Sequence, residues 1–251
     1  MQSQAPKVEF DTIGHTGAVA VTSKLTLYNK NSFFRGENYA VAFVWNELYI
    51  LPYKRFLVPF LRRLGVKDNG FIIKKMFIGP ELFLKKTQTI NQKVKPDIVI
   101  ESDKNVIIFE FKNFYKSGQF QQEQLPREYV VGQTLAKENP IYLILVTDDE
   151  NPLVKIEKQG RQNPFDYISK HSKPYLKREG AELRSWFNKN FSEDKIIVIS
   201  WKAFRRKLYQ QLGASKKRAK NRDLEEIYNR VFKRIKEFVE WRKHLHHQSK
   251  S

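Results

Sequence analysis

The chain has 251 residues, enough for one large domain or two small ones with a buried core. Hydrophobic residues make up 41% and aromatic residues 14%, which excludes a disordered tail or a fibrous protein. Lysine and arginine number 46 against 27 acidic residues, and the net charge of +19 predicts a polyanionic partner, either nucleic acid or an anionic membrane surface.

Cysteine is absent, which excludes a disulfide framework, a cysteine-ligated zinc site and a thiol nucleophile. Residues 1–6 form neither a basic nor an apolar stretch, so no secretion signal is expected. The most apolar stretch, 39–53, is too short to span a bilayer and favours a buried helix. These features predict a cytoplasmic protein that does not insert into a membrane.

After a weakly periodic segment, 1–33, the pattern predicts alternating helices and strands. The expected helices cover 36–51, 53–64, 121–137, two segments between 162 and 191, and the region from Lys202. The expected strands cover 70–85 (a hairpin or two short strands), 96–101, 106–112, 141–147 and 196–201. The unbroken apolar run at 141–147 is typical of a strand buried on both faces. This order predicts an α/β domain around a mixed sheet.

The last 50 residues, 202–251, hold sixteen Lys or Arg against five acidic residues, which is over half of the excess positive charge. One dense basic run is expected to contact phosphates without reading the base sequence. It comprises Lys216, Lys217, Arg218, Lys220 and Arg222. The segment 223–241 is amphipathic at helical spacing, which indicates packing on the core; a helical dimer seam is the alternative.

The candidate chemistry lies in the hairpin that the strands around 102–105 are expected to form. In that register Asp97 lies opposite Glu110, while Glu110 and Lys112 share a face. Opposed carboxylates repel each other, and Glu110 stands among Ile and Phe, where an uncompensated charge is costly. A divalent cation relieves both problems, and Lys112 could act on a water or stabilise charge on a phosphate. The cluster predicts metal-dependent phosphodiester hydrolysis; the alternative is a surface hairpin whose Glu110–Lys112 pair is solvated.

Pro96-Asp97, twelve residues and then Glu110-Phe111-Lys112 resemble the motif of the PD-(D/E)XK nuclease superfamily. That superfamily includes restriction endonucleases, archaeal Holliday junction resolvases, and RecB- and Cas4-type nucleases. The resemblance covers about half of the chain and implies a restriction-endonuclease-like α-β-β-β-α-β core, with a mixed central sheet flanked by helices. It also implies that Asp97, Glu110 and the backbone carbonyl of Phe111 hold Mg²⁺ or Mn²⁺, and that Lys112 handles the nucleophilic water.

The resemblance extends to two helices. Many members place a glutamate on the first core helix, which is Glu37 here, with Glu47 as its competitor. Some RecB- and Cas4-like members carry a glutamine and a tyrosine four residues apart on the helix after the hairpin. The nearest match is Gln124 with Tyr129, five residues apart. The alternatives to Gln124 are Gln121 and Gln122.

We therefore expect an N-terminal segment over 1–33, a nuclease core over 34–205 and a basic helical C-terminal extension over 206–251. The expected activity is that of a metal-dependent DNA endonuclease in restriction, mobile-element transposition or repair. One alternative is a junction resolvase or a transposon-end endonuclease that acts with a partner protein. Another is a non-catalytic nucleic-acid-binding module on the same fold. Many members of the superfamily act as dimers, so a second copy of the chain is an alternative partner.

Overall fold

The structure, a computed structural model, describes residues 37–67, 70–80, 82, 94–112, 119–148 and 150–247, without the side chains of 37–40, 179 and 241–247. The predicted N-terminal segment, 1–33, lies outside the described residues. The described chain divides into a sheet unit, Leu64–Phe204, and a helical unit formed by 37–63 and 205–247. The predicted core grouped 37–63 with the sheet, whereas the contacts group this segment with the C-terminal helices.

The strands of the sheet unit form one mixed five-stranded sheet and one separate hairpin. In chain order the strands are β1 (Ile73–Ile78), β2 (Ile98–Ser102), β3 (Val106–Phe111), β4 (Ile141–Thr147), β5 (Val154–Ile156), β6 (Gly160–Gln162) and β7 (Ile196–Ser200). The large sheet has the order β1-β2-β3-β4-β7, with β1, β2 and β3 antiparallel and β3, β4 and β7 parallel. The small β5–β6 hairpin was not predicted from the sequence.

In chain order the described helices are α1 (Glu37–Tyr49), α2 (Leu57–Leu64), α3 (Gln124–Ala136), α4 (Pro164–Glu179), α5 (Ala181–Asn190), α6 (Trp201–Lys217) and α7 (Arg222–His247). Helix α3 connects the parallel strands β3 and β4, which require a crossover of this kind. The prediction of an α/β fold with a mixed central sheet flanked by helices is therefore confirmed.

One face of the large sheet shares a hydrophobic core with α3, α4 and α5. Ile108 and Leu143 of the sheet belong to the same buried cluster as Tyr129, Ile168 and Trp186 of the three helices. Every residue of β3 and of β4 is buried. The two strands are therefore covered on both faces, as the unbroken apolar run of β4 predicted.

Helix α3 packs closely against the sheet at Gly132. A Cβ at this position would lie 2.6 Å from Ile108 Cδ1, which is closer than packed side chains allow, and 3.1 Å from Ile141 Cδ1, which is a tight contact. The absence of a side chain lets the helix backbone approach β3 and β4. This close approach fixes α3, which also carries the residues that face the end of β3.

In the helical unit, α7 buries one stripe of its surface. Tyr228, Val231, Ile235 and Phe238 are buried, and Phe43 of α1 stacks on Phe238 with ring centroids 4.2 Å apart. The amphipathic segment therefore packs against α1 within the helical unit, while the predicted packing on the nuclease core stays a prediction. Within the described ranges, no helix is both long and apolar enough to cross a bilayer.

Candidate active site

The β2–β3 hairpin brings Asp97, Glu110 and Lys112 to one edge of the large sheet. The strands pair Ile98 with Phe109 and Glu101 with Val106, which is the predicted register. Asp97 precedes β2 and Lys112 follows β3, at the edge that also holds the carboxyl ends of the parallel strands β4 and β7. Ligands bind to α/β sheets at this edge.

Asp97 is held by the backbone at the end of the neighbouring strand. The Phe111 N–H donates a hydrogen bond to Asp97 Oδ2 at 2.8 Å, which ties the start of β2 to the end of β3. Burial raises the pKa of Asp97 to about 6, although the Phe111 hydrogen bond and the Lys112 charge lower it. The carboxylate is therefore well oriented, and it is only partly exposed to solvent.

Glu110 is buried beside Lys112. Its side chain is 2% exposed, and its Oε2 lies 3.7 Å from Lys112 Nζ. The Lys112 side chain is itself only 17% exposed. The alternative of a surface hairpin with a solvated Glu110–Lys112 pair is therefore wrong.

The structure also brings Gln124, the first residue of α3, into the cluster. Gln124 Nε2 donates a hydrogen bond to Glu110 Oε2 at 2.8 Å. Gln121 and Gln122, the alternatives from the sequence, are exposed and precede the helix. Tyr129 is fully buried and packs against Trp186 in the core, with ring centroids 5.8 Å apart.

Glu128 of α3 is a third carboxylate of the cluster, and the sequence analysis missed it. Gln124 Nε2 donates a second hydrogen bond, to Glu128 Oε1 at 3.0 Å, so that one amide bridges two carboxylates. Glu128 is 2% exposed. The available signal was its spacing of four residues from Gln124, which places both residues on one face of a helix.

Two oxygen atoms of the cluster lack hydrogen-bond donors. Glu110 Oε1 and Glu128 Oε2 are both buried and accept no hydrogen bond from another described residue, although the two carboxyl groups lie close enough to hydrogen-bond to each other when one of them is protonated. Buried polar atoms are normally paired, and an unpaired one costs free energy. A proton or a cation at these oxygens would remove that cost.

Burial and mutual repulsion raise the pKa values of both glutamates. The pKa of Glu110 is raised well above its usual range, chiefly by burial and then by the charges of Glu128 and Asp97. Burial raises the pKa of Glu128 to about 7, against the hydrogen bond from Gln124. The Lys112 charge lowers the pKa of all three acids. The ionised cluster thus combines three carboxylates with one ammonium, a net charge of −2 that a divalent cation would balance.

These raised pKa values predict that the cluster destabilises the cation-free protein as pH increases. Between about pH 4 and pH 7 the folded state binds more protons than the unfolded state, so the free energy of unfolding falls as the pH rises. In EDTA, Glu128→Gln is therefore expected to melt about 5 °C above the wild type at about pH 8, with little difference at about pH 5. Thermal unfolding across this pH range measures the effect. A difference in melting temperature that does not change with pH would contradict the prediction.

Hydrogen bonds fix the main chain of Lys112, and an aromatic ring contacts its side chain. Its N–H donates to Val146 O, and its carbonyl accepts from Trp201 Nε1, both at 2.8 Å. Its Nζ lies 5.0 Å from the centroid of the Phe120 ring. The Phe120 N–H donates in turn to Lys155 O of β5 at 2.8 Å. The unpredicted hairpin therefore helps to position the ring that supports the Lys112 ammonium.

The donor set of the cluster fits a divalent cation such as Mg²⁺, which favours one or two carboxylates together with waters. Asp97 and Glu110 supply two carboxylates, and Glu110 Oε1 lacks a competing donor among the described residues. Across that same part of the chain, no three His, Asp or Glu side chains are arranged around a common point that could hold an ion. The role of the Phe111 carbonyl stays a prediction.

Of the two glutamates of α1 that were candidates for the site, the structure describes the side chain of only one. Glu37 is the first residue of this helix, and its side chain lies outside the described residues. Glu47 is 8% exposed and forms an ion pair with Arg234 of α7 at 3.0 Å. Burial raises the pKa of Glu47 even though Arg234 lowers it. The ion pair with Arg234 gives the buried Glu47 a structural role in the helical unit. The role of Glu37 stays a prediction.

The predicted phosphate-binding run spans the turn between α6 and α7. Two of its members form ion pairs: Lys216 with Glu225 at 3.5 Å and Arg222 with Glu226 at 3.1 Å. The other members, Lys217, Arg218 and Lys220, are exposed. A compact group of accessible positive charge is therefore present on this turn.

No protein-family model, curated protein or solved structure matches the chain.

Proposed function

We propose that the protein is a divalent-cation-dependent DNA endonuclease of the PD-(D/E)XK type, with a restriction-endonuclease-like core. The proposal rests on the cluster at the end of one hairpin, in which the buried Glu110 lies beside the partly exposed Asp97 and Lys112. The pKa values of both acids are raised by burial, which destabilises the ionised cluster. Groups with perturbed pKa values at the carboxyl end of a sheet are typical of functional sites.

The residues of the hairpin have different proposed roles in hydrolysis. Asp97 and Glu110 would hold Mg²⁺ or Mn²⁺, with the Phe111 carbonyl as a further ligand. When bound, such a cation stabilises negative charge on the phosphate and makes a water more acidic. Lys112 orients the attacking water or donates a hydrogen bond to a phosphate oxygen as its charge grows. Attack of water on phosphorus expels the 3′ oxygen and leaves a 5′-phosphate and a 3′-hydroxyl.

Neighbouring groups hold these side chains in place. The Phe111 N–H fixes Asp97, and the Gln124 amide fixes Glu110 from the opposite element. Trp201 and Phe120 fix the backbone and the ammonium of Lys112. Such supporting contacts keep catalytic groups in a productive geometry without reorganisation during the reaction.

Cleavage of supercoiled plasmid and short linear DNA in Mg²⁺, Mn²⁺ or EDTA tests the proposal. Cutting with either cation and none in EDTA is expected. Salt-dependent binding without cutting would favour the non-catalytic binding module. Faster cutting of branched than of linear DNA would favour the junction resolvase, and cutting that requires an added protein would favour the partner-dependent endonuclease.

The exposed residues of the α6–α7 turn are proposed to bind the DNA backbone. Each phosphate contact contributes about −0.9 to the slope of log affinity against log salt concentration. Replacing Lys217, Arg218 and Lys220 together with alanine is therefore expected to reduce the magnitude of that slope by up to about 3. Fluorescence anisotropy with a labelled duplex at several salt concentrations measures the change.

A control for net charge is available on α4. Lys170, Lys173 and Lys177 are exposed and lie along one helix. Their joint replacement with alanine removes the same amount of positive charge and is expected to change the slope less. Equal changes in the two triple variants would contradict a specific role for the turn.

A further inference from the structure

Glu128 is an unusual residue for a purely structural role. It is 2% exposed, its Oε1 accepts a hydrogen bond from an uncharged amide, and its Oε2 lacks a donor among the described residues when Glu110 and Glu128 are both ionised. Buried carboxylates that serve structure normally have a cationic partner and complete hydrogen bonding. Glu128 instead lies beside the two acids that are proposed to hold a cation.

The Gln124 amide links Glu128 to Glu110 through two hydrogen bonds. One nitrogen atom donates to both carboxylates, at 2.8 Å to Glu110 and 3.0 Å to Glu128. Each of its two hydrogens thus has an acceptor, and the rotation of both carboxylates is restricted. The amide leaves Glu110 Oε1 and Glu128 Oε2 as the oxygens without a donor in the described part of the chain.

We propose that Glu128 is a third acid of the cation site, which strengthens divalent-cation binding through its charge and by orienting Glu110 through Gln124. The inference rests on the proposed function, because it concerns the same site. Glu128 acts as a positioning residue, since no three acids surround a common point among the described residues. Groups that orient metal ligands in this way typically contribute about 10–100-fold to metal affinity.

The charge of the cluster supports this role. Asp97, Glu110 and Lys112 alone would carry a net charge of −1, whereas the addition of Glu128 gives −2. A divalent cation neutralises the larger cluster and leaves the smaller one with excess positive charge. Charge balance in a buried site matters because an uncompensated charge there is poorly solvated.

The test compares Glu128→Gln, Glu128→Asp and Glu123→Gln with the wild type. Glutamine keeps an acceptor for Gln124 and removes the charge, whereas aspartate keeps the charge. Glu123 is the matched control, because it immediately precedes the same helix, is exposed, and accepts a hydrogen bond from Tyr175 OH at 3.2 Å. Calorimetric titration with Mn²⁺ and the cation-induced rise in melting temperature are measured for each protein.

Glu128→Gln is expected to bind Mn²⁺ about 10–100-fold more weakly than the wild type, with a smaller cation-induced rise in melting temperature. Glu128→Asp is expected to lose less affinity, and Glu123→Gln is expected to match the wild type. In EDTA at about pH 8, Glu128→Gln is expected to melt no lower than the wild type, because it relieves repulsion. Retention of a folded protein with weaker cation binding separates this role from a structural one.

Wild-type affinity for Mn²⁺ in Glu128→Gln would overturn this inference and leave the proposed function intact. A large loss of melting temperature for Glu128→Gln in EDTA would also overturn it, because the carboxylate would then be a structural requirement. Absence of Mn²⁺ binding by the wild type would overturn both the proposed function and this inference. The three outcomes are therefore distinguishable.

Discussion

The Lys112→Ala protein is expected to cleave DNA about 10²–10⁴-fold more slowly than the wild type, with unchanged DNA affinity. The Lys112 ammonium lies 3.7 Å from Glu110 Oε2 and is the cation that lowers the pKa of Asp97, Glu110 and Glu128. Its removal leaves the attacking water and the charged phosphate without this donor. Single-turnover cleavage of supercoiled plasmid in saturating Mg²⁺ measures the rate, and anisotropy in EDTA measures binding.

Lys104→Ala is the matched control for Lys112→Ala. Lys104 lies in the turn of the same hairpin and is exposed, so its replacement removes one positive charge away from the acidic cluster. We expect this variant to cleave at the wild-type rate. Cleavage at the wild-type rate by Lys112→Ala would contradict the role of Lys112 in hydrolysis.

The Asp97→Asn protein is expected to bind Mn²⁺ at least about 100-fold more weakly than the wild type and to lose cleavage activity. Asparagine still accepts the hydrogen bond that the Phe111 N–H donates to Asp97 Oδ2 at 2.8 Å, so the hairpin should keep its geometry. The lost charge removes one of the two proposed carboxylate ligands. Calorimetric titration with Mn²⁺ measures the loss, and thermal unfolding in EDTA verifies that the fold is retained.

Asp103→Asn provides the control for this prediction. Asp103 lies in the hairpin turn, where its Oδ1 accepts a hydrogen bond from the Ile72 N–H at 2.7 Å. Asparagine can accept the same bond, and the residue is not part of the acidic cluster. Equal Mn²⁺ affinities for Asp97→Asn and the wild type would remove Asp97 from the cation site.

Local patterns explain why the hairpin register could be predicted from the sequence. The polar turn separates two apolar strands, and the period of two in side-chain direction then fixes the partner of each residue. Asp97 and Glu110 consequently reach the same edge, as the pairing of Ile98 with Phe109 shows. Strand β4 was equally predictable, because Pro140 and Asp148 bound its apolar run.

The burial of the hairpin on both faces and the role of Glu128 could not be predicted from the sequence, because both depend on tertiary contacts. The sequence of β3 places Glu110 on a face opposite Phe109 and Phe111, but it does not show that α3 covers that face. A glutamate on a helix is usually exposed, so the spacing of four residues between Gln124 and Glu128 does not by itself predict that Glu128 is buried. Its role emerges only when the helix packs at Gly132 and brings Gln124 to Glu110.

Sequence patterns also could not predict the small β5–β6 hairpin or the contacts of α1 with α7. Strands of three residues are too short to show a reliable period. The contacts of α1 with α7 join segments about 190 residues apart, such as Phe43 with Phe238 and Glu47 with Arg234. Amphipathic spacing predicts that a stripe is buried, but it does not identify the partner.

We propose that Asp97 and Glu110 hold a divalent cation at the end of the β2–β3 hairpin. The most direct test is a crystal structure of the protein with Mn²⁺, in which anomalous scattering locates the ion. We expect an anomalous peak beside these two carboxylates and its disappearance in Asp97→Asn crystals grown with the same Mn²⁺ concentration. A wild-type structure with no peak at this cluster, or with Mn²⁺ bound only elsewhere on the chain, would show that these carboxylates do not hold the cation.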